Sequence, residues 1–217
     1  MNNNSNSILS FFPKTSLESL SLNISFSKIL NEAWNMLKNN FSMFLAYTVL
    51  IGIICSGLWF SGFIGQFLVG VITPLLTSGY FCVCFKILRN DPYEFSDFFK
   101  AFNSWYPLTL SGFIGGLLMM LGFMALVVPG IYLHFAYLIS TQLILDEKLA
   151  AWDSLEVSRK IITKVFFKYS LIAILSYFFV ICGILIFGVG VLVTFPLYFC
   201  FHSVLYKHLI DQIKSGF

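Results

Sequence analysis

The chain has 217 residues, of which 58% are hydrophobic, 18% aromatic and only 11% charged, with a formal net charge of +3. A soluble domain carries about 25% charged residues, and a mean hydropathy of +0.85 excludes that class as well. The small net charge offers no basic surface for nucleic acid, and no nucleic-acid partner is expected.

The 13 Lys and Arg and the 10 Asp and Glu all fall in four windows, 14–38, 86–100, 146–168 and 207–214. The three charge-free gaps between them, 39–85, 101–145 and 169–206, each exceed the roughly 20 apolar residues that one helical span needs. Each gap is therefore read as two spans and a turn. Backbone polar groups find no partners in lipid, and the apolar runs lack the alternation of barrel strands, so the spans are helices.

In chain order, residues 1–26 read as a flexible cytoplasmic tail, because they lack the basic start, apolar stretch and small-residue cleavage site of a secretory signal. Residues 27–40 then form an amphipathic stripe, with Ile29, Leu30, Ala33, Trp34 and Leu37 opposed to Lys28, Asn31, Glu32, Asn35 and Lys38. Spans are expected near 41–61 and 67–88, joined through Ser61, Gly62 and Gly65. Residues 94–105 repeat the stripe, with Phe95, Phe98, Phe99, Phe102 and Trp105 against Glu94, Asp97, Lys100 and Asn103.

Spans near 107–127 and 129–146 follow, with Pro129 and Gly130 at their turn. A third stripe over 150–168 sets Trp152, Leu155, Ile162, Val165 and Phe166 against Asp153, Glu156, Lys160 and Lys164. Spans near 168–187 and 191–208 complete the set, with Gly188 and Gly190 at their turn. Pro74 and Pro196 free the carbonyls of Gly70 and Leu192, so kinks are expected there, whereas Pro129 starts its helix.

The expected architecture is thus an all-α membrane protein with six transmembrane helices. They form three parallel-inserted hairpins (units 27–88, 93–146 and 150–210), each preceded by a cytoplasmic interfacial amphipathic helix. A cytoplasmic tail, 211–217, ends the chain. None of the turns carries Lys or Arg, which places both termini and both connectors in the cytoplasm under the positive-inside rule.

The segment Val127-Val128-Pro129-Gly130-Ile131-Tyr132-Leu133, the later Asp146, and Ala151-Trp152-Asp153-Ser154-Leu155-Glu156-Val157-Ser158-Arg159-Lys160 together resemble a bacterial six-helix membrane superfamily. It includes the YciC-like inner-membrane proteins and the membrane domain attached to some glycerophosphodiester phosphodiesterases. Ser96-Asp97-Phe98-Phe99-Lys100-Ala101-Phe102 and the Gly188-x-Gly190-x-Leu192-x-x-x-Pro196 pattern resemble its weaker motifs. The resemblance spans about residues 27–210. It implies a multi-pass location in the bacterial inner membrane. With no phosphodiesterase domain in the sequence, it implies no hydrolysis.

No catalytic set, cofactor or metal is expected. HExxH, GxSxG, Walker and dinucleotide motifs are absent, and Cys82 and Cys84, two apart, point about 200° away from each other on a helix. A central charge costs about 2.5 to 3.5 kcal/mol in a span, which Phe-rich helices can bear, yet the spans carry none. Coupled pumps place ionisable groups there. Gln142 and His202 match in depth and can hydrogen-bond between spans; a structural contact outweighs a ligand site.

Arg159, Lys160, Lys164 and Lys168 are candidates for anionic lipid headgroups, or else serve only as topology determinants. Gly57, Ser61 and Gly65, and the Gly112-x-x-x-Gly116 pair, suit close helix contacts, within the bundle or in a homo-oligomer. The partners expected are the lipid bilayer, anionic lipids or other membrane proteins. The function expected is non-catalytic; the alternative is a transporter or channel for a small or lipid-like solute.

Overall fold

A computed structural model of the chain describes residues 25–185 and 190–215. The regular structure of the described residues is all helical, without strands: α1 Phe26–Asn39, α2 Phe41–Trp59, α3 Gly62–Arg89, a 3-10 helix Phe95–Ser104, α4 Trp105–Ala125, α5 Val127–Ala136, α6 Ser140–Glu147, α7 Ala151–Lys164, α8 Phe166–Leu185 and α9 Val191–Ser215. Five stretches are long and apolar enough to cross a membrane: Phe41–Trp59, Gly62–Arg89, Phe95–Ala125, Val127–Glu147 and Phe166–Leu185. The protein is accordingly a multi-pass membrane protein by its helices. The segment 191–208 is not among these five; it lies in α9, whose apolar run is diluted by His202, Lys207 and His208.

Helices pack in chain-adjacent pairs, α2 on α3, α4 on α5 and α8 on α9. The second member of each pair lies inside. The most apolar window is 44% buried in α3 and in α5–α6, against 22% in α2 and in the stretch that contains α4, and α9 is buried almost all round from Pro196 to Tyr206. Each leading segment covers an inner helix of another pair. The 3-10 helix lies on α3, α7 on α5 and α6, and α1, the first in the chain, on α9, which closes a ring. Polar side chains at one end tie the charged windows together: Glu32 with His208, Arg89 with Asp146, and Glu147 with Lys214.

Several local expectations are corrected. The single helix over 129–146 is two, α5 and α6, parted at residues 137–139. The loosened carbonyls are taken up locally. Ser158 Oγ on α7 donates to the Ala136 carbonyl at 2.6 Å, and Ser140 Oγ to the Tyr137 carbonyl at 2.8 Å. Pro74 lies inside α3 and Pro196 inside α9, and each helix continues beyond its proline. Pro129 sits in the first turn of α5, where a missing N–H costs nothing. Helix α9 continues to Ser215 with Ile213 buried, so most of the 211–217 segment is the end of α9.

The segment over 94–105 is a 3-10 helix, not an α-helix. Its three-residue period puts Phe98 and Ala101 on one buried face. Asp97, expected on the polar side, is buried as well. Its carboxylate takes Lys86 Nζ at 2.9 Å, Lys100 Nζ at 2.6 Å and the Glu94 N–H at 2.8 Å. On α1 the buried stripe is Ile29, Ala33, Met36 and Leu37, while Trp34 is 46% exposed. On α7 it is Ala151, Ser154, Leu155, Ser158, Ile161 and Ile162, while Trp152 is 59% exposed.

The glycine stripes meet expectation at Gly65, where an added Cβ would lie 1.9 Å from the Leu58 carbonyl oxygen between α2 and α3, and depart from it at the other glycines. A Cβ added at Gly57, Gly112 or Gly116 meets nothing within 4 Å, so these residues face outward and mediate no internal contact. Further close approaches fall outside the stripes. A Cβ at Gly79 would lie 2.2 Å from the Phe98 carbonyl oxygen, and one at Gly130 would lie 2.4 Å from the Phe123 ring. Gly130 thus lets α4 and α5 meet beside the extended residue Leu126.

Candidate functional site

A cleft opens at the charged end, where α3, α6 and α9 finish. It has a volume of about 150 Å³. The rims follow from helix periodicity, since Lys207, Ile210, Asp211 and Lys214 recur at i, i+3, i+4 and i+7 on one face of α9. Arg89 from α3 and Asp146 from α6 close the opposite side, and Phe85 and Leu88 supply an apolar floor. Asp146 accepts from Arg89 and, at 3.2 Å, from the Tyr206 hydroxyl. Lys207 Nζ donates to the Leu88 carbonyl and Lys214 Nζ to Glu147 at 2.6 Å. The more exposed of these, Lys214 with Glu147, contributes at most about 1 kcal/mol, and together the contacts shape the rim.

A second polar group lies among the inner helices. The structure brings Gln142 and His202 together, but through the backbone: Gln142 Nε2 donates to the His202 carbonyl at 3.1 Å. The imidazole turns to α8, where its Nε2 lies 3.0 Å from Ser176 Oγ, and packs on the Tyr198 ring at 4.4 Å. Toward the other end, Tyr177 stacks on Tyr198 at 5.7 Å and its hydroxyl lies 3.1 Å from His134 Nε2. Gln142 Oε1, Tyr169 Oη and Ser170 Oγ are buried without partners among the described residues. Ser176 was not legible as a partner, because nothing in its own helix distinguishes it from Ser170.

The basic stretch after α6 is less available than its spacing suggests. Arg159 grips Glu156 with two bonds, at 3.0 and 2.9 Å, and Lys160 adds a third contact at 3.1 Å. Lys164 and Lys168 are exposed. The Arg159 hydrogen bonds, against some desolvation, hold the Glu156 carboxyl below its ordinary range. A folded value below the unfolded one adds stability above the unfolded pKa, and this is lost as pH falls through the folded value. The stability difference between wild type and Glu156→Gln therefore narrows as pH drops below about 4. Thermal unfolding of both proteins across an acid pH series measures it; a gap that widens in acid refutes the pairing.

No group of three or more His, Cys, Asp or Glu side chains able to hold a metal occurs among the described residues. Cys82 is partly buried, while the Cys84 and Cys200 thiols lie 3.8 Å apart in the core between α3 and α9. No protein-family model, curated protein or solved structure matches the chain.

Proposed function

We propose that the chain is a non-catalytic, multi-pass protein of a bacterial inner membrane, related to the YciC-like superfamily, that works by contacting lipid and membrane partners. In this reading six spans form three parallel-inserted hairpins with both termini cytoplasmic, and α1, the 3-10 helix and α7 lie at the cytoplasmic interface. The observation that carries it is the convergence of the charged windows at one end through the Glu32–His208, Arg89–Asp146 and Glu147–Lys214 contacts. Of the four exposed tryptophans, Trp34, Trp105 and Trp152 stand one in or beside each leading helix, as interfacial anchors do, and Trp59 lies at the end of α2. Lys164 and Lys168 extend the same face toward anionic headgroups.

A non-conducting scaffold is favoured over a channel by what fills the centre. Tyr80, Leu143, Cys200 and His202 are buried where α3, α6 and α9 meet. The membrane arrangement is tested with single cysteines in a background without the native five. Ser61→Cys and Val128→Cys are expected to react with an impermeant maleimide from outside intact cells, and Lys38→Cys and Lys164→Cys only after lysis. The reverse pattern overturns the topology. The scaffold role predicts retained lipid or protein on purification in native lipid discs, and specific solute flux in proteoliposomes would refute it.

A further inference from the structure

We propose that the cleft at the charged end binds a phosphate ester that also carries a primary ammonium, the chemistry of a phosphoethanolamine headgroup. The cleft combines both signs of charge with an apolar floor, and its charged groups are incompletely used. Arg89 is 55% exposed at its side chain and spends a single nitrogen on Asp146, whereas a guanidinium has five N–H donors in a fork that suits phosphate oxygens. Lys207 spends one of its ammonium protons on the Leu88 carbonyl, which leaves two. Asp211, on the same rim, has no ion-pair or hydrogen-bond partner among the described residues.

Free N–H donors from Arg89 and Lys207 thus face a phosphate while the Asp211 carboxylate faces an ammonium. A purely anionic ligand leaves Asp211 opposed to its own charge, and a simple amine leaves the Arg89 fork unused. The volume of about 150 Å³ takes a headgroup and not the acyl chains, which leave across Phe85, Leu88 and Ile210. A lipid source rests on the proposed placement of this end at the membrane surface; a free amino-phosphate does not.

The test uses the full chain in maltoside micelles, titrated calorimetrically with dihexanoyl phosphatidylethanolamine, dihexanoyl phosphatidylglycerol and free O-phosphoethanolamine. The ethanolamine lipid is expected to bind at least about tenfold more tightly than the glycerol lipid, the scale of one charge-assisted contact. Asp211→Asn removes that preference while sparing the glycerol lipid. Lys207→Gln and Arg89→Gln weaken both lipids, and Lys38→Gln, outside the cleft, weakens neither. Unliganded melting of each variant separates a lost contact from a lost fold, and Lys207→Gln keeps the test open should Arg89→Gln unfold.

Free O-phosphoethanolamine that binds as tightly as the lipid supports the cleft with a soluble ligand; much weaker binding supports it with a lipid. Equal affinity for both lipids, or selectivity that survives Asp211→Asn, overturns the proposal. So does the absence of binding by all three ligands, and the cysteine-labelling pattern then still stands or falls by itself.

Discussion

Gly79→Ala is expected to lower the melting temperature of the purified protein by several degrees, although alanine is by propensity the better helix former by about 1 kcal/mol. The reason is position. A Cβ at Gly79 would sit 2.2 Å from the Phe98 carbonyl oxygen and 2.6 Å from the Tyr47 hydroxyl, and neither neighbour can give way. Phe98 belongs to the 3-10 helix, and its ring is stacked 3.9 Å from that of Tyr47. The Tyr47 hydroxyl donates to the Leu76 carbonyl at 2.7 Å, while Tyr80 meets Thr48 at the same distance.

Making room means lifting the 3-10 helix from α3 or breaking this aromatic cluster. Overpacking of a tight core costs about 1 to 3 kcal/mol, occasionally more, and 1 kcal/mol moves the midpoint by roughly 2 to 4 °C in a chain of this size. Gly112→Ala and Gly116→Ala supply the control, since nothing lies within 4 Å of either added methyl, and they should be neutral or stabilising. Equal tolerance at all three positions would contradict the packing described.

Asp97→Asn should be the most damaging change among the charged residues. The carboxylate is 3% exposed and is held between Lys86 and Lys100, while also accepting the Glu94 N–H that opens the 3-10 helix. Removing one partner from a buried ion pair costs about 3 to 5 kcal/mol. The lower end applies, because the two lysines are 30% and 54% exposed and water recovers part of the loss. The expected melting shift is several-fold larger than that of Lys100→Gln, which leaves the Lys86 and backbone contacts intact. Comparable shifts for the two variants would remove Asp97 from the role of anchor between α3 and the 3-10 helix.

The multi-pass character was legible before any fold was known. Partition of a segment into lipid is nearly a sum over its residues, so long stretches without charge declare themselves in composition alone. The close approach of Gln142 to His202 was legible from matched depth, because a helix rises uniformly. Which atoms meet was not: the contact uses a carbonyl of α9, while the imidazole answers to Ser176 on α8. Likewise a stripe such as Trp34 with Leu37 shows that a helix has two faces, but not whether the apolar one meets lipid or protein.

What the sequence by itself determined is the set of apolar segments, the one-sided distribution of charge and the periodic stripes beside them, all of which depend on residues close in the chain. Tertiary structure alone decided the break at residues 137–139, which relies on Ser158 from another helix and is marked by neither Gly nor Pro. It also decided the burial of Asp97, the choice of Gly79 over Gly112 as the contact glycine, and the meeting of Arg89, Asp146 and Asp211 around one cleft. Each of these turns on which helix lies opposite. That is set by the packing of side chains far apart in sequence, and no local pattern records it.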